Sequence, residues 1–433
     1  MLNIKRALPL YVYLGLTCLL IIAINFGPIQ YNDFNYFEVS TYLLILVLIF
    51  VLGYLLGCSG RLNQKNQSQR SFLLLFQIIK LILLYCVLSY FFKWLSLIIS
   101  GHTLSLSALG KSYAEHYSGY VRGQASIDSL YVFNIFDELM AFLGVIFSFS
   151  FYKDFSFRIK IACIFVTTSY VLINLLANGK QKYLGDVMIF FFYYLVMKYA
   201  RSEIKLTVSK MIVIFIVLLA GVVALSEILS QRYSTINLNG ENILYHLHPL
   251  MSWDENSIIL KIFGTEKGFL IGMLMMYLSN GVYGLSVCLS LPFQWTYFLG
   301  SSYAVARMFE LFFKADGAIF ENTYIYRAGE KGWGMDKWHS LYSWLASDFT
   351  FTGVLGITFF FAYFYGKLWK QILIETNPFA KPLFILLSLG LIFSYSNNQI
   401  MHSLQGTLAL VIIFIMYLSG NAFSYQKRIG MGS

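Results

Sequence analysis

The chain has 433 residues, a net charge of +10, 58% hydrophobic and 12% charged residues, and a mean hydropathy of +0.66. Soluble domains carry roughly 25% charged residues, so this composition excludes an ordinary soluble protein. Several continuous apolar runs reach the ~20 residues that a helix needs to span a bilayer, whereas a transmembrane β-barrel would show alternating polarity. The sequence therefore predicts an all-α polytopic membrane protein with about 10 to 12 transmembrane helices.

The positive charge lies mostly in short connections between apolar runs, which is a topology signal and not a nucleic-acid-binding patch. The five cysteines lie in apolar stretches without CxxC spacing and indicate small core side chains. The sequence has no phosphate-binding loop, dinucleotide-binding glycine motif or HExxH motif. We therefore expect no cofactor, no metal site and no nucleic-acid partner.

The apolar stretches that we expect to span the membrane are residues 7–26, 39–58, 72–98, 129–150, 161–177, 184–199, 208–229, 348–367, 382–396 and 403–421. The first of them is longer than a signal-peptide core and is interpreted as a retained span. Basic residues cluster in alternate connections, which include Lys5, Lys153, Arg201, Lys370 and Lys381. By the positive-inside rule, these connections and both termini are cytoplasmic.

This order of spans divides the chain into three parts. Residues 1–229 form an N-terminal bundle of about seven spans, residues 230–347 form one large extracytoplasmic loop, and residues 348–433 form a C-terminal bundle of about three spans. Within the large loop, a proline and the polar residues 279–281 interrupt the apolar stretch 268–300. A single crossing there would move the later basic connections outside. We therefore expect interfacial or re-entrant helices, with a hairpin of two short spans as the alternative.

Three charged residues lie near the middle of predicted spans, where an ionisable group needs a partner or a role. They are Lys80 in the third span, and Asp137 and Glu138 in the fourth. We expect an ion pair between Lys80 and one of the two carboxylates. The alternative is a proton or ion relay, as a transporter would use.

Cations and tryptophans are unusually frequent on the predicted outer side. The cations include Lys180, Lys182, Arg232, Arg307 and Arg327. Such a cluster can neutralise a lipid-linked phosphate or pyrophosphate, although each residue alone can also be a solvated or snorkelling side chain. The tryptophans are Trp253, Trp295, Trp333, Trp338 and Trp344, whose rings can stack against sugars or anchor the chain at the membrane interface.

The stretch WHSLYSWLASDFTFTG, residues 338–353, closes the large loop and opens a span. His339 precedes a predicted helix start at Asp348. This order indicates a segment that borders an active site at the outer membrane face. The alternative is an interfacial segment in which the tryptophans are anchors and Asp348 caps the helix.

With these features the chain resembles the bacterial O-antigen polymerases (oligosaccharide repeat unit polymerases, Wzy-type) and the related O-antigen ligases. The resemblance rests on the plan of many spans with one dominant outer loop late in the chain, and on the turn at 178–182 followed by Arg232. It also rests on His339-Ser340-Leu341-Tyr342, then Asp348 and Gly353, where ligase-like members have His-Asn-x-Tyr, an acidic residue and Gly-x-x-Gly. Ser340 replaces the asparagine of that pattern, and Thr350 replaces its first glycine.

The resemblance implies a GT-C-like glycosyltransferase of the bacterial inner membrane. Such an enzyme polymerises undecaprenyl-pyrophosphate-linked repeat units into O-antigen or a similar surface polysaccharide at the outer leaflet, without a metal, and releases undecaprenyl pyrophosphate. The implied partners are the lipid-linked donor and acceptor glycans, membrane lipid and a membrane protein that regulates chain length. His339 is expected to act as general base and Arg232 to neutralise the leaving pyrophosphate, both as catalytic residues. The expected substrate-binding residues are Lys180, Lys182, Arg307, Arg327, Tyr342 and Asp348.

Three other functions remain open at this point. An O-antigen ligase would use the same donor with a lipid-core acceptor, and the incomplete His-Asn pattern favours the polymerase. A transferase using a single lipid-phosphate sugar would commonly carry acidic residues in the first outer loop, where Asp33 and Glu38 lie. A lipid-linked-oligosaccharide flippase or other transporter would need a charged path through the bilayer, for which Lys80, Asp137 and Glu138 are the candidates.

Overall fold

The computed structural model describes residues 4–60, 69–101, 129–205 and 247–422, together with isolated positions between 207 and 230. Its helices are α1 (Ile4–Phe26), α2 (Tyr36–Ser59), α3 (Gln69–Ile99), α4 (Ser129–Phe151), α5 (Phe157–Leu176), α6 (Lys182–Ala200), α7 (Ile258–Leu289), α8 (Tyr303–Phe313), α9 (Tyr324–Arg327), α10 (Leu341–Ile374), α11 (Ala380–Ile392) and α12 (Leu404–Ala422). Two short strands, β1 (Ile29–Tyr31) and β2 (Met251–Trp253), pair antiparallel. Most of the predicted seventh span, residues 208–229, lies outside the described residues.

Six helices in the described ranges are long and apolar enough to cross a membrane. They are α1, α2, α5 and α10, with residues 74–99 of α3 and a stretch from 132 to 154 that contains most of α4. Helix α11 and residues 404–420 of α12 are apolar but shorter. The prediction of an all-α, multi-pass membrane protein is therefore confirmed.

Helices α2 and α10 join the N-terminal and C-terminal parts of the bundle through close backbone contact. A Cβ atom added to Gly57 would lie 2.0 Å from the carbonyl oxygen of Tyr363, and one added to Gly366 would lie 2.5 Å from that of Tyr54. Small residues permit this approach, and membrane helices commonly pack in this way because lipid provides little hydrophobic force between them. The glycines in these apolar helices are therefore packing residues.

The connections predicted to be cytoplasmic come together at one end of the bundle, which we call the basic end. There the Trp369 indole donates a hydrogen bond to the carbonyl of Lys5 at 3.0 Å, and Arg201 pairs with Glu375. These contacts join connections that are far apart in sequence, as the predicted alternation of spans requires. The opposite end carries the α1–α2 and α5–α6 connections, the region 247–340 and the α11–α12 connection, and we call it the site end.

Helix α7 lies across the site end of the bundle. The Asn35 N–H, at the start of α2, donates to the Ser286 hydroxyl at 3.2 Å, and the Ser340 N–H, at the start of α10, donates to the Gly281 carbonyl at 3.1 Å. A Cβ atom on Gly281 would lie 2.3 Å from the Ser396 carbonyl oxygen, just beyond α11. Helix α7 therefore contacts the start of α2, the start of α10 and the connection that follows α11.

The predicted interruption of this segment at residues 279–281 is wrong, because α7 remains helical through them. The backbone departs from helical geometry at Gly264, whose φ of 73° lies in the left-handed region that glycine tolerates. Gly281 instead allows the close approach to the α11–α12 connection. A glycine in an apolar stretch thus marked a packing contact and not a break.

Gly281→Ala should destabilise the protein by about 1–3 kcal/mol, because the new methyl group meets backbone oxygens that cannot move independently. The midpoint of thermal unfolding in detergent measures this change. Gly15→Ala in α1 is the matched control, since nothing lies within 4 Å of its added Cβ atom. Its effect should stay within about 1 kcal/mol. Equal Tm values for Gly281→Ala and the wild type would contradict the described contact.

Candidate functional site

Two neighbouring cavities lie at the site end. Cavity A has a volume of about 680 Å³ and lies among α3, α4, α5, α6 and the start of α12. Cavity B has a volume of about 620 Å³ and extends from the α5–α6 turn to α7 and residue 338. Both volumes fall within the roughly 300–1,000 Å³ that is usual for small-ligand sites. The residues that line both cavities are Glu138, Lys182, Tyr183, Gln399 and Gln405.

Two carboxylates beside the cavities are each held by a glutamine: Glu138 lines both cavities, and Asp186 lines cavity A. The Gln405 side-chain amide donates to Oε2 of Glu138 at 2.7 Å, and the Gln399 amide donates to Oδ1 of Asp186 at 3.0 Å. Glu138 lies on α4 and Asp186 lies on α6. Gln399 precedes α12, and Gln405 lies in the first turn of that helix. Because a buried charge is costly without a hydrogen-bonding partner, these pairs fix the relative positions of the elements that carry them.

The α5–α6 turn, which the sequence predicted as a tight turn, brings Lys180 and Lys182 together at the junction of the two cavities. Gly179 adopts a positive φ of 62°, and the Lys180 N–H donates to the Asn174 carbonyl at 3.0 Å, which closes the turn. Lys180 lines cavity B, and Lys182 lines both cavities. Burial lowers the pKa of Lys180, and the nearby Glu138 carboxylate opposes that shift. A bound anion would stabilise the charged form of this lysine.

The ion pair predicted for Lys80 is wrong. Lys93, about thirteen residues further along α3, pairs with Asp137, which also accepts a hydrogen bond from the Ser89 hydroxyl at 2.5 Å. The exposed Lys80 ammonium lies 5.2 Å from the ring centre of Phe76. Helices α3 and α4 are antiparallel, so the acid near the start of α4 meets the end of α3 and not its middle. Asp137 and Lys93 line cavity A.

His339 lies in the protein interior and outside the lining of both cavities. It is 1% exposed, its Nε2 lies 3.1 Å from the Gly334 carbonyl oxygen, and its Nδ1 lies 3.9 Å from the Cys288 sulfur. Burial lowers its pKa to about 4, so the ring is neutral at pH 7. This placement suits a residue that positions the 334–340 segment, and it gives no support to the expected role as general base.

Asp348 holds a loop in place. Its carboxylate accepts hydrogen bonds from the Thr296 hydroxyl at 2.5 Å, from the Gly300 N–H at 3.1 Å, and from the N–H and hydroxyl of Ser301 at 2.6 and 2.5 Å. The predicted helix start at this residue is wrong, because α10 begins at Leu341. With its oxygens engaged in this way, Asp348 organises the segment 296–301 and does not face either cavity.

A serine, and not Asp348, caps the start of α10. The Ser340 hydroxyl accepts a hydrogen bond from the Ser343 N–H at 3.2 Å. Helix geometry is then interrupted at Thr350, which has a φ of 61°, and the Thr350 hydroxyl accepts from the Gly353 N–H at 3.2 Å. The apolar part of α10 therefore restarts close to where the sequence placed the beginning of the span, although the helix itself begins earlier.

Tyr342 and Arg307 have local partners. The Tyr342 hydroxyl donates to the Ser394 hydroxyl at 3.3 Å inside the bundle. Arg307 pairs with Glu310 at 3.0 Å on α8, and its side chain is 46% exposed. Neither residue lines cavity A or cavity B. The structure therefore separates both from Lys180 and Lys182, with which they were predicted to bind substrate.

Arg327 is a buried cation that holds two segments together. Its Nε donates to the Asn322 carbonyl at 3.2 Å, its Nη1 donates to the Pro292 carbonyl at 2.8 Å, and its guanidinium lies 5.0 Å from the ring centre of Tyr324. Burial lowers its pKa. Arg327 also lies outside both cavities. The other predicted arginine, Arg232, lies outside the described residues.

His402 lines cavity B and was not predicted from the sequence. Its ring stacks on Tyr303, with the ring centres 5.0 Å apart and the planes at 13°. The surrounding protein, and then the charge of Lys182, lower its pKa to about 4. Gln399 and Gln405 were missed as well. The available signal was a run of polar residues from 396 to 399 between two apolar spans, with no spacing that indicates a particular chemistry.

The junction thus combines two lysines, two glutamine-bound carboxylates and a neutral histidine beside large cavities. Cations of this kind can hold a phosphate group, and carboxylates and amides can bind hydroxyl groups. No group of three or more His, Cys, Asp or Glu side chains in the described ranges is arranged to hold a metal ion. Comparisons of the chain with models of protein families, with curated proteins and with solved structures found no match.

Lys93→Met should lower the stability of the protein by about 1–3 kcal/mol, because it leaves the Asp137 carboxylate without its cation. Lys80→Met is the matched control on the same helix and should change stability by less than about 0.5 kcal/mol. Thermal unfolding in detergent measures both. If Lys80→Met were the more destabilising of the two, the pairing described for α3 and α4 would be incorrect.

Proposed function

We propose that this protein is a glycosyltransferase of the bacterial inner membrane that polymerises polyprenyl-pyrophosphate-linked oligosaccharide units at its site end. The observation that carries the proposal is the position of Lys180 and Lys182 where two large cavities meet beside a glutamine-bound carboxylate. In this proposal the site end faces the outer side of the membrane, and both termini are cytoplasmic. A GT-C-like architecture and a partner that regulates chain length belong to the same proposal.

The donor pyrophosphate binds at the two lysines. Departure of a pyrophosphate concentrates negative charge on its oxygens, and cations placed there in advance lower the barrier. The α3 and α4 wall of cavity A contains Leu88, Phe92 and Phe133, whose side chains are 50%, 63% and 56% exposed. Apolar side chains on the outer surface of a bundle suit a prenyl chain, which can then remain in the bilayer while its headgroup reaches the lysines.

The acceptor glycan occupies cavity B. Tyr277 and Trp338 line it with ring centres 4.7 Å apart, and Asn397 and His402 add polar groups. Aromatic rings stack well against the apolar faces of sugars, and amides hydrogen-bond to sugar hydroxyls. This arrangement holds the acceptor hydroxyl beside the lysine-bound donor, so the two reactants are oriented before reaction.

Glu138 is our candidate general base, in place of His339. Glu138 lines both cavities and is therefore adjacent to both substrates. The acceptor oxygen forms a bond to the anomeric carbon of the donor, the bond from that carbon to the pyrophosphate oxygen breaks, and the hydroxyl proton passes to the Glu138 carboxylate. The lysines stabilise the released polyprenyl pyrophosphate. Arg232 remains a predicted additional cation for this group.

A ligase would use the same donor site with a different acceptor, and a flippase would use the same charges to move its substrate. The large cavities with charged linings lie at the site end, whereas the charged pocket lined by Lys153, Arg201 and Glu203 at the basic end measures about 20 Å³. A cavity of about 340 Å³ among α4, α5 and α6, nearer the basic end, is lined by apolar, aromatic and hydroxyl side chains without a charged group. The one-sided distribution of large charged cavities within the described residues favours chemistry at one face. The three functions differ in what happens to a lipid-linked glycan in a reconstituted system.

The proposal predicts that purified protein in liposomes converts a lipid-pyrophosphate-linked repeat unit into a ladder of longer glycans, with chelator and without nucleotide sugar. The double variant Lys180→Met/Lys182→Met should reduce the rate by at least about 100-fold, because removing an electrostatic donor from such a site costs that much. Glu138→Gln should have a comparable effect on the maximal rate. Ladder formation on a gel is the measurement.

Lys331→Met is the control for this assay, because Lys331 is an exposed cation outside both cavities. Its rate should equal that of the wild type. Transfer across the bilayer without any lengthening would contradict the polymerase and favour the flippase. Transfer of the glycan only after a lipid-core acceptor is added would identify a ligase.

A further inference from the structure

One carboxylate oxygen in the wall of cavity A is both buried and unsatisfied. Asp186 is 1% exposed, and its Oδ1 accepts the Gln399 bond. Its Oδ2 has no hydrogen-bond partner among the residues that the structure describes. A buried oxygen of this kind is unfavourable until a donor reaches it. Because Asp186 lines cavity A, a ligand in that cavity can supply the donor.

The Glu138–Gln405 pair repeats this arrangement at the boundary with cavity B. In each pair the glutamine amide engages one oxygen of the acid, which fixes the orientation of the carboxylate. Two oriented carboxylates can accept hydrogen bonds from hydroxyl or amide N–H groups of one ligand. Such groups are presented side by side on sugar rings.

Aromatic side chains complete the lining. The rings of Tyr170 and Tyr183 lie 4.9 Å apart at 76°, and both residues line cavity A. One of the two, Tyr183, also lines cavity B. The flat faces of such rings pack against the C–H groups of sugars, so the cavity offers apolar contact as well as hydrogen-bond acceptors. This combination suits a carbohydrate better than a purely ionic ligand.

From these contacts we infer that the Asp186–Gln399 and Glu138–Gln405 pairs form a sugar subsite that accepts neutral and N-acetylated sugars and rejects sugars that carry a carboxylate. This inference rests on the proposed function, because it names the sugar class taken by the same site. The acceptor oxygens of the pairs bind hydroxyl and amide donors. An acidic sugar places its carboxylate oxygens against these acceptor oxygens, so it is excluded by repulsion between oxygens as well as by a missing donor.

Saturation-transfer difference NMR on the purified protein in detergent tests this subsite without any pyrophosphate. The probes are the methyl glycosides of glucose, galactose and N-acetylglucosamine, with methyl glucuronide as the acidic probe. At least one neutral probe should bind at least tenfold more tightly than methyl glucuronide. Absence of binding by all the neutral probes, or equal binding of the acidic one, would overturn the inference.

Asp186→Asn is the decisive variant. The asparagine side chain retains an oxygen that can accept the hydrogen bond from Gln399. Its amide NH2 group, which donates hydrogen bonds, replaces the unsatisfied oxygen of the acid. The affinity for the neutral probe should fall at least tenfold. The ratio of the affinities for the neutral probe and for methyl glucuronide should fall at least fivefold. Asp336→Asn is the matched control, since Asp336 is 70% exposed and lies outside both cavities.

The Tm of Asp186→Asn should equal or exceed that of the wild type, because the variant removes a buried acid oxygen that has no hydrogen-bond partner among the described residues. A lower Tm with unchanged sugar preference would assign Asp186 a structural role and overturn the inference. The double variant Lys180→Met/Lys182→Met separates this test from that of the enzyme. It should retain sugar binding while losing polymerisation, so a failure of either proposal is visible on its own.

Discussion

The bonds between two carboxylates and two glutamines determine how this protein builds its site. Glu138 and Asp186 stand in helices of an apolar bundle, where a charge without hydrogen bonds is strongly disfavoured. Gln405 and Gln399 each satisfy one oxygen, and both come from the C-terminal part of the chain. The same interactions therefore hold the N-terminal and C-terminal parts of the bundle together and leave acceptor oxygens of the two acids beside the cavities.

The remaining features of the site end depend on close packing around this junction. Helix α7 can lie across the bundle because Gly281 permits backbone contact with the residues that follow α11. Its neighbour Gly284 faces the buried His339 ring, since a Cβ atom there would lie 2.8 Å from the ring Nδ1. This packing fixes the segment that carries Trp338 against cavity B. His339 thus supports the site through its position and lines neither cavity.

Composition and local sequence predicted the class of fold and the turn that presents Lys180 and Lys182. Both features depend on short stretches of chain: apolar length decides whether a helix can span a membrane, and a Gly-containing turn places its own lysines. The partner of Asp137 was not predictable in this way, because it depends on the register between α3 and α4. The burial of His339 and the loop contacts of Asp348 likewise arise from residues far away in sequence. Gln399 lies in a short polar run that indicates no particular chemistry, and the role of both Gln399 and Gln405 appears only when an acid from another helix lies beside them.

The most direct measurement of the central claim is an experimental structure of the protein with undecaprenyl pyrophosphate bound in a lipid nanodisc. Our account predicts that the pyrophosphate lies within ion-pair distance of Lys180 and Lys182, and that the prenyl chain leaves the bundle between α3 and α4. Pyrophosphate bound at the basic end, beside Lys153 or Arg201, would contradict the account, because the cavities described above would then have no part in holding the donor.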